Sequence, residues 1–156
     1  MMQGDYWIIR NDFHKQSVAA FISTIPVDPV KPYTVKVEPL SENRRASQNR
    51  LSHMWYSEVS KQGGEYTAGQ VKCKAKLKFG VPILIAEDSK FAEFWTKLQS
   101  LKLSKEEQEE AMEFIPVTSI MSVKQMSQYL SDFQRVMGQK YQLTDPEMLG
   151  LDSINY

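Results

Sequence analysis

The sequence predicts an α+β fold: a short N-terminal β-α-β unit followed by a mainly helical remainder in one compact domain. Segments with the two-residue period of a strand occur near the N-terminus, and capping residues and apolar stripes at helical spacing dominate after residue 47. A chain of 156 residues with 42% hydrophobic content can bury one sizeable core. We therefore expect a single domain over residues 1–140.

The β-α-β unit is predicted from three segments. Tyr6–Arg10 reads YWIIR and is rich in aromatic and β-branched residues, which favours a first strand. Asp12 can cap a helix that runs to about Thr24. The three prolines of PVDPVKP then exclude a helix, and Tyr33–Leu40 alternates apolar and polar residues as a second strand would.

The next two segments are predicted to be helices. Ser47 can cap a helix that ends at about Gln62, before a Gly-Gly pair. In QVKCKAKLKF the apolar residues alternate with lysines, which would also fit a strand. Thr67 as a cap, the content of Ala, Lys and Leu, and a stop at Gly80 favour a helix instead. Such a helix has apolar residues on two sides, so we expect one side to form a dimer interface.

The remaining helices are predicted from their caps. Ser89 begins a helix whose apolar stripe contains Phe91, Phe94, Trp95, Leu98 and Leu101. This spacing favours burial in the core; a base-stacking role would need exposure, so we assign the stripe no site. Ser104 to Glu107 and Ser122 to Gln125 fit the capping box and open helices near 105–115 and 123–137. The Pro, Gly and acidic content of residues 141–156 predicts a flexible tail.

The charge is unevenly distributed although the formal net charge is zero. Residues 31–80 carry 10 Lys and Arg against 4 Asp and Glu, a net charge of 10 − 4 = +6, whereas residues 81–156 carry 7 against 12. A concentrated basic block indicates a polyanionic partner, although a cationic surface balanced by an acidic neighbour in the same fold remains the alternative.

Several classes of protein are disfavoured by composition. No apolar run approaches the roughly 20 residues that span a bilayer, and the first residues do not resemble a secretory leader. We therefore expect no membrane association and a cytoplasmic location. Cys73 is the only cysteine and His14 and His53 are the only histidines, so we expect no metal and no cofactor.

The stretch RRASQNRLSHMWYSEVSKQGGEYTAGQVKCKAKLKFG resembles the NinB (Orf) family of phage recombination proteins. That family carries an Arg-Ser-x-x-Gln-Asn-Arg-like segment before a helix with Trp, a later helix with a basic residue before Phe-Gly, and a final helix opened by Ser or Thr. The resemblance covers about residues 5–140, and Ala46 stands where serine is commoner. The matching positions are Arg44, Arg45, Gln48, Asn49, Arg50 and Trp55, then Lys74, Lys78, Phe79 and Gly80, then Thr118-Ser119 and Ser122 to Lys124.

The resemblance implies a homodimer that binds single-stranded DNA and helps to load a recombinase onto strands coated by the host single-strand-binding protein. The residues agree, because arginine forks bind phosphate and a helix starting near Ser47 would offer its N–H groups at the same place. We predict that the protein is non-catalytic and binds single-stranded DNA without strong preference for its base sequence. Its predicted DNA-binding residues are Arg44, Arg45, Gln48, Asn49, Arg50, Lys74 and Lys78. The alternative is that Arg44 and Arg45 are solvated loop charges and that Asn49 satisfies a turn. Trp55 shares an apolar stripe with Leu51 and Val59, which favours its burial in the core.

Two other functions remain open. A metal-dependent nuclease of phage recombination would need several carboxylates close together, and the candidates are Asp5, Glu38, Glu42, Glu87 and Asp88. Glu87 and Asp88 also have an ordinary explanation, since acids favour a helix start. A protein adaptor could instead use the same lysines to bind the acidic tail of a partner.

Overall fold

The computed structural model describes Trp7, Ile9, residues 11–37 and residues 44–151 of the chain. Within these ranges the chain forms seven α-helices, one π-helical turn and one 3₁₀ turn, and no residue lies in a β-strand. The elements are α1 (Asp12–Thr24), α2 (Arg44–Gly63), α3 (Ala68–Ala75), the π-helical turn (Lys76–Gly80), α4 (Val81–Glu87), α5 (Ser89–Gln99), α6 (Lys105–Ala111), α7 (Val123–Met137) and the 3₁₀ turn (Pro146–Leu149). No helix of the described ranges is long and apolar enough to cross a membrane.

The predicted α+β class is wrong, because the described part of the chain is helical. Residues 33–37, in the predicted second strand, have no regular secondary structure, and Tyr33, Val35 and Val37 are 65%, 56% and 82% exposed. A strand needs a neighbouring segment for its hydrogen bonds and a core for its apolar face, and alternation alone supplies neither. Trp7 and Ile9 are not in a strand either. The other positions of the two predicted strands, 6, 8, 10 and 38–40, lie outside the described residues.

The chain divides into two compact units, residues 1–42 and 43–156. In the first unit α1 spans Asp12–Thr24, as predicted, but its cap is Asn11, whose side chain accepts a hydrogen bond from the His14 N–H at 2.9 Å. The rings of Trp7 and Phe21 lie 5.8 Å apart. No side chain of α1 is buried.

The core of the second unit forms where α2, α3 and α7 meet. The ring of Trp55 stacks on Phe133 at 5.7 Å, and Phe79 meets Phe133 edge to face at 5.9 Å. The Trp55 indole N–H donates to the Thr144 carbonyl at 2.8 Å, so its one polar group is satisfied in the interior. The prediction that Trp55 is a core residue is confirmed, since it is fully buried.

The caps predicted for the later helices are confirmed. Ser104 with Glu107 and Ser122 with Gln125 both form complete capping boxes, at the first turns of α6 and α7. In each box the serine hydroxyl accepts from the backbone three residues on, and the longer side chain accepts from the serine N–H. Helix α5 begins at Ser89, as predicted, and its cap is Asp88.

The helix predicted for residues 68–79 is present, but the predicted stop at Gly80 is wrong. The chain continues from α3 through the π-helical turn into α4, and the Val81 N–H donates to the Lys76 carbonyl. A Cβ at position 80 would lie 2.5 Å from Val117 Cγ1. Gly80 is therefore explained by close packing inside a helix and not by helix termination. Pro82 lies in the first turn of α4, directly after the π-helical turn.

Residues 141–151, within the predicted tail, contact α2. The Glu58 carboxylate accepts from the Thr144 N–H at 2.9 Å and from its hydroxyl. Gln62 donates to the Gln142 carbonyl at 2.7 Å and accepts from the Gln142 N–H at 2.8 Å. Leu149 and Leu151 are buried. The domain boundary at residue 140 and the flexibility of residues 141–156 stay predictions.

Candidate nucleic-acid interface

Four polar residues lie on one solvent-facing side of α2. Positions 45, 49, 50 and 53 fall within a single arc of a helix that turns about 100° per residue. Arg45, Asn49, Arg50 and His53 are all exposed, and Ala46 between them keeps the arc open. We call these four residues the α2 basic face.

Gln48 has a different place from its neighbours, because its side chain is fully buried. Its amide nitrogen donates to the Val123 carbonyl at 3.1 Å and to the Ser127 hydroxyl at 2.8 Å, which ties the start of α2 to the first turns of α7. Its amide oxygen is buried without a hydrogen-bond partner. In this structure Gln48 holds the helix in place and does not reach the solvent.

The two arginines at the start of α2 also differ. The guanidinium of Arg45 donates to the Ser119 carbonyl while the side chain remains exposed. Two segments of the family-like pattern, Arg44/Arg45 and Thr118-Ser119, therefore meet in space. Arg44 is half-buried, and its Nε is buried without a hydrogen-bond partner.

Ser47 is not the cap of this helix, which corrects the sequence argument for a phosphate site at the helix start. Residues 44–46 are already helical. Arg and Ala are strong helix formers, which explains why the helix includes them. The arginines therefore lie inside the first two turns of α2, and the case for phosphate binding depends on their side chains.

Lys74 is engaged inside the fold. Its ammonium lies 2.6 Å from a carboxylate oxygen of Glu109 on α6 and 4.4 Å from the centroid of the Tyr66 ring. The hydrogen bond to Glu109 is the main cause that raises the pKa of Lys74. Much of its charge is therefore already compensated by Glu109.

Lys78 lies at the rim of a groove between α4 and α7, away from the contacts of Lys74. Its ammonium is 5.5 Å from the centroid of the Phe79 ring, and its side chain is exposed. The groove has a volume of about 510 Å³, and its apolar lining includes Pro82 and Ile83. Lys74 thus contacts α6 and Tyr66, and Lys78 borders the groove between α4 and α7; neither lysine is part of the α2 basic face.

Lys72 is a residue that the sequence analysis did not assign. It lies close enough to His53 for its charge to lower the pKa of that imidazole, after the larger effect of partial burial. Lys72 therefore extends the α2 basic face onto α3. The sequence feature that could have predicted this proximity is the short turn with Gly-Gly between the two helices. Such a turn favours antiparallel pairing, which brings position 72 back beside position 53.

Lys76 is buried, and its ammonium donates to the Met112 carbonyl at the end of α6. Burial is the main cause that lowers the pKa of Lys76, and the nearby charge of Lys72 adds to it. A cation at a helix C-terminus compensates the partial negative charge of the last carbonyls. Lys76 is thus a structural residue that joins the π-helical turn to α6.

The carboxylates of the nuclease alternative are only partly described. Glu87 accepts a hydrogen bond from Gln125 at 3.1 Å, and Asp88 caps α5. Among the described residues, no three or more His, Cys, Asp and Glu side chains are grouped to hold a metal ion. Asp5, Glu38 and Glu42 lie outside those residues, so the nuclease alternative stays open.

Comparison with protein families gives a match over the first part of the chain. The family model described as NinB protein matches residues 3–73, slightly less than half of the 156-residue chain. The matched segment contains the whole α2 basic face and Lys72, and it ends one residue before Lys74. No curated protein and no solved structure matches the chain. The resemblance found in the sequence is thereby confirmed over residues 3–73, the segment that is similar to the NinB protein family.

Proposed function

We propose that this protein binds single-stranded DNA without strong sequence preference and acts as a phage recombination mediator. In this role it assists the loading of a recombinase onto strands coated by the host single-strand-binding protein, and it catalyses no reaction itself. The observation that supports the proposal is the α2 basic face, which presents two arginines and an asparagine to solvent within the matched segment.

The chemistry of this face suits a phosphodiester backbone. A guanidinium donates two parallel hydrogen bonds to phosphate oxygens, and Asn49 between the arginines can donate to phosphate or sugar. Such contacts position a strand without reading its bases. Lys72 adds positive charge beside His53, so the favourable potential extends beyond one helix.

Gln48 and Lys74 do not contact DNA in this proposal. Gln48 fixes the start of α2 on α7 through two hydrogen bonds, which keeps the arginines in a defined position. Lys74 is paired with Glu109. The direct contacts are therefore Arg45, Asn49 and Arg50, with half-buried Arg44 behind them and Lys78 as a secondary candidate.

The proposal includes a homodimer in the cytoplasm of the bacterial host, as the resemblance implies. The predicted interface on the helix that contains α3 has limited support, because Val71, Ala75 and Phe79 are buried within the fold. Only the other side of that helix, with half-buried Cys73 and Leu77, remains for a partner copy. Light scattering at micromolar concentration would measure the mass of the protein.

Replacement of Arg50 alone, and of Arg45 together with Arg50, by alanine tests the DNA site. We expect weaker binding to all oligonucleotide sequences alike, because phosphate contacts carry no base information. The slope of log affinity against log salt should become shallower by about 0.7 for each phosphate that the variant no longer neutralises. Fluorescence anisotropy at several salt concentrations measures both quantities.

The matched control is Lys61→Ala, which removes an exposed cation from the last turn of the same helix. Its affinity should stay within about twofold of wild type if binding is local to the start of α2. Thermal unfolding shows whether a variant that binds weakly is still folded. A folded double variant that binds as tightly as wild type would exclude the α2 basic face as the DNA site.

The adaptor function is the second candidate, and the groove beside Lys78 favours it. Two cations line this groove. Arg135 is paired with Asp132 at 3.1 Å, whereas Lys78 has no carboxylate partner among the described residues. An acidic tail peptide should then bind with an affinity that Lys78→Gln lowers. Displacement of a bound oligonucleotide by the same peptide would show that the two ligands share a surface.

A further inference from the structure

The apolar stripe of α5 is only partly covered. Phe91 is 7% exposed, whereas Phe94, one turn further, is 44% exposed. The two rings lie 5.8 Å apart at 56°, so Phe94 rests against a buried ring. Phe91 also stacks on Trp95 at 6.3 Å. Phe94 is therefore an aromatic ring supported from the protein side and open to solvent on the other.

Two lysines lie on the open side of this ring. Lys90 precedes Phe94 by four residues and Lys97 follows it by three, and both spacings place side chains on the same face of a helix. Both lysines are exposed, and neither forms an ion pair with a carboxylate in the described part of the chain. Glu93 lies three residues after Lys90 and four before Lys97, so it borders both lysines on the side away from Phe94, but it forms no ion pair with either in the described part of the chain.

We infer that Phe94 is a base-stacking site for single-stranded DNA, with Lys90 and Lys97 binding the phosphates on either side of the stacked base. This inference rests on the proposed function, to which it adds a second contact region. An exposed aromatic ring between cations is the arrangement with which proteins hold single strands, because every base has a π-face. The contact therefore adds affinity without sequence preference.

The other exposed aromatic rings that the structure describes in the second unit lack this combination. Phe114 is 84% exposed but follows Glu113 at the end of acidic α6, where phosphate would be repelled. Tyr66 is 44% exposed, yet its ring is occupied by the ammonium of Lys74 at 4.4 Å. Exposure alone does not select Phe94. Phe94 is selected by its exposure together with two lysines that form no ion pair among the residues that the structure describes.

The test compares Phe94→Leu with the matched control Phe114→Leu on two ligands. The first ligand is a mixed-sequence oligonucleotide, and the second has the same backbone with abasic sites in place of its bases. Leucine keeps the apolar contact with Phe91 and removes the aromatic face. We expect Phe94→Leu to bind the normal strand about fivefold more weakly or worse, near the lower end of the cost of removing one stacked base. It should bind the abasic strand as wild type does, and Phe114→Leu should match wild type on both.

A second pair of variants keeps the test decisive if Phe94→Leu does not fold. Phe94→Tyr retains the ring and should bind as wild type. Lys90→Gln with Lys97→Gln should weaken binding to the normal and the abasic strand equally and make the salt slope shallower, because it removes phosphate contacts only.

Three results would overturn the inference. In the first, wild type binds DNA and a folded Phe94→Leu variant binds it equally well. This result would agree with the proposed function and exclude the stacking site. In the second, Phe94→Leu lowers the mass measured by light scattering and leaves the DNA affinity unchanged. The exposed face of α5 would then contact a second copy of the chain. No binding of either strand by wild type refutes the proposed function and the stacking site together.

Discussion

Helices α5 and α7 carry similar apolar stripes but have different surroundings. In α7 the stripe residues Met126, Tyr129, Leu130 and Phe133 are each 2% exposed or less. In α5 only Phe91 is buried, and Phe94 is 44% exposed. Helix α7 contacts α2, α4 and the π-helical turn, whereas α5 packs mainly on α4. The spacing of apolar residues thus predicts which side chains share a face, and the number of neighbouring elements decides whether that face is covered.

The largest expected effect on stability comes from replacing one phenylalanine of each stripe by alanine. Phe133→Ala should lower the free energy of unfolding by about 3 to 5 kcal/mol, because it removes a fully buried ring that contacts Trp55, Tyr56 and Phe79. Phe94→Ala should lower it by less than about 1 kcal/mol, as expected for a half-exposed side chain. Urea unfolding monitored by circular dichroism gives both values. Equal decreases for the two variants would mean that α5 is covered in solution.

The second prediction concerns the close contact between the π-helical turn and the loop before α7. Gly80→Ala should destabilise the protein by about 1 to 3 kcal/mol, because its Cβ would lie 2.5 Å from Val117 and 3.6 Å from Tyr129. Gly69→Ala in α3 is the matched control, since its Cβ would meet only Thr67 Oγ1 at 3.8 Å, an ordinary contact. Alanine there should stabilise the helix by about 0.5 to 1 kcal/mol. A stable Gly80→Ala variant would show that this side of α7 is less tightly packed than the structure indicates.

The smallest effect is expected from His53, on a helix face that is partly covered. Partial burial, then the charge of Lys72, lowers the pKa of His53 below its usual value of 6.5. Between that lowered pKa and 6.5 the unfolded chain binds more protons than the folded chain. The free energy of unfolding should therefore fall as pH decreases through this window, relative to the His53→Gln variant. Lys72→Gln should reduce the difference, and urea unfolding at several pH values measures it. A pH dependence identical in wild type and His53→Gln would refute this explanation.

Features that depend on a few neighbouring residues could be predicted from the sequence. The capping boxes at Ser104 and Ser122 need only two side chains three residues apart, and both formed. The span of α1 and the burial of Trp55 also follow from local spacing. The stop predicted at Gly80 failed because its cause, the approach of Val117, comes from 37 positions further along the chain. The strand predicted for residues 33–40 is absent from the described residues 33–37, because a strand depends on a partner segment.

The candidate site divides in the same way. The sequence identifies Arg45, Asn49 and Arg50 by residue type and by resemblance, and their exposure agrees with a contact role. It cannot show that Gln48 faces inward, because that depends on Val123 and Ser127 of a helix about 75 residues away. It also cannot show that Lys74 meets Glu109. Exposure and pairing are properties of the packed structure, and both decide which polar residues remain accessible to a ligand.

The π-helical turn at Lys76–Gly80 has a consequence for aligning this chain with its relatives. Counting in steps of four from the buried residues Val71, Ala75 and Phe79 leads to Ile83, yet the buried residue is Leu84. The wide turn holds one more residue than an α-helical turn and so delays the buried side of α4 by one position. A relative that lacks one residue here would exchange the π-turn for an α-turn and keep both flanking helices in phase. A one-residue gap at this point of an alignment would therefore mark a conserved packing arrangement rather than a misplaced helix.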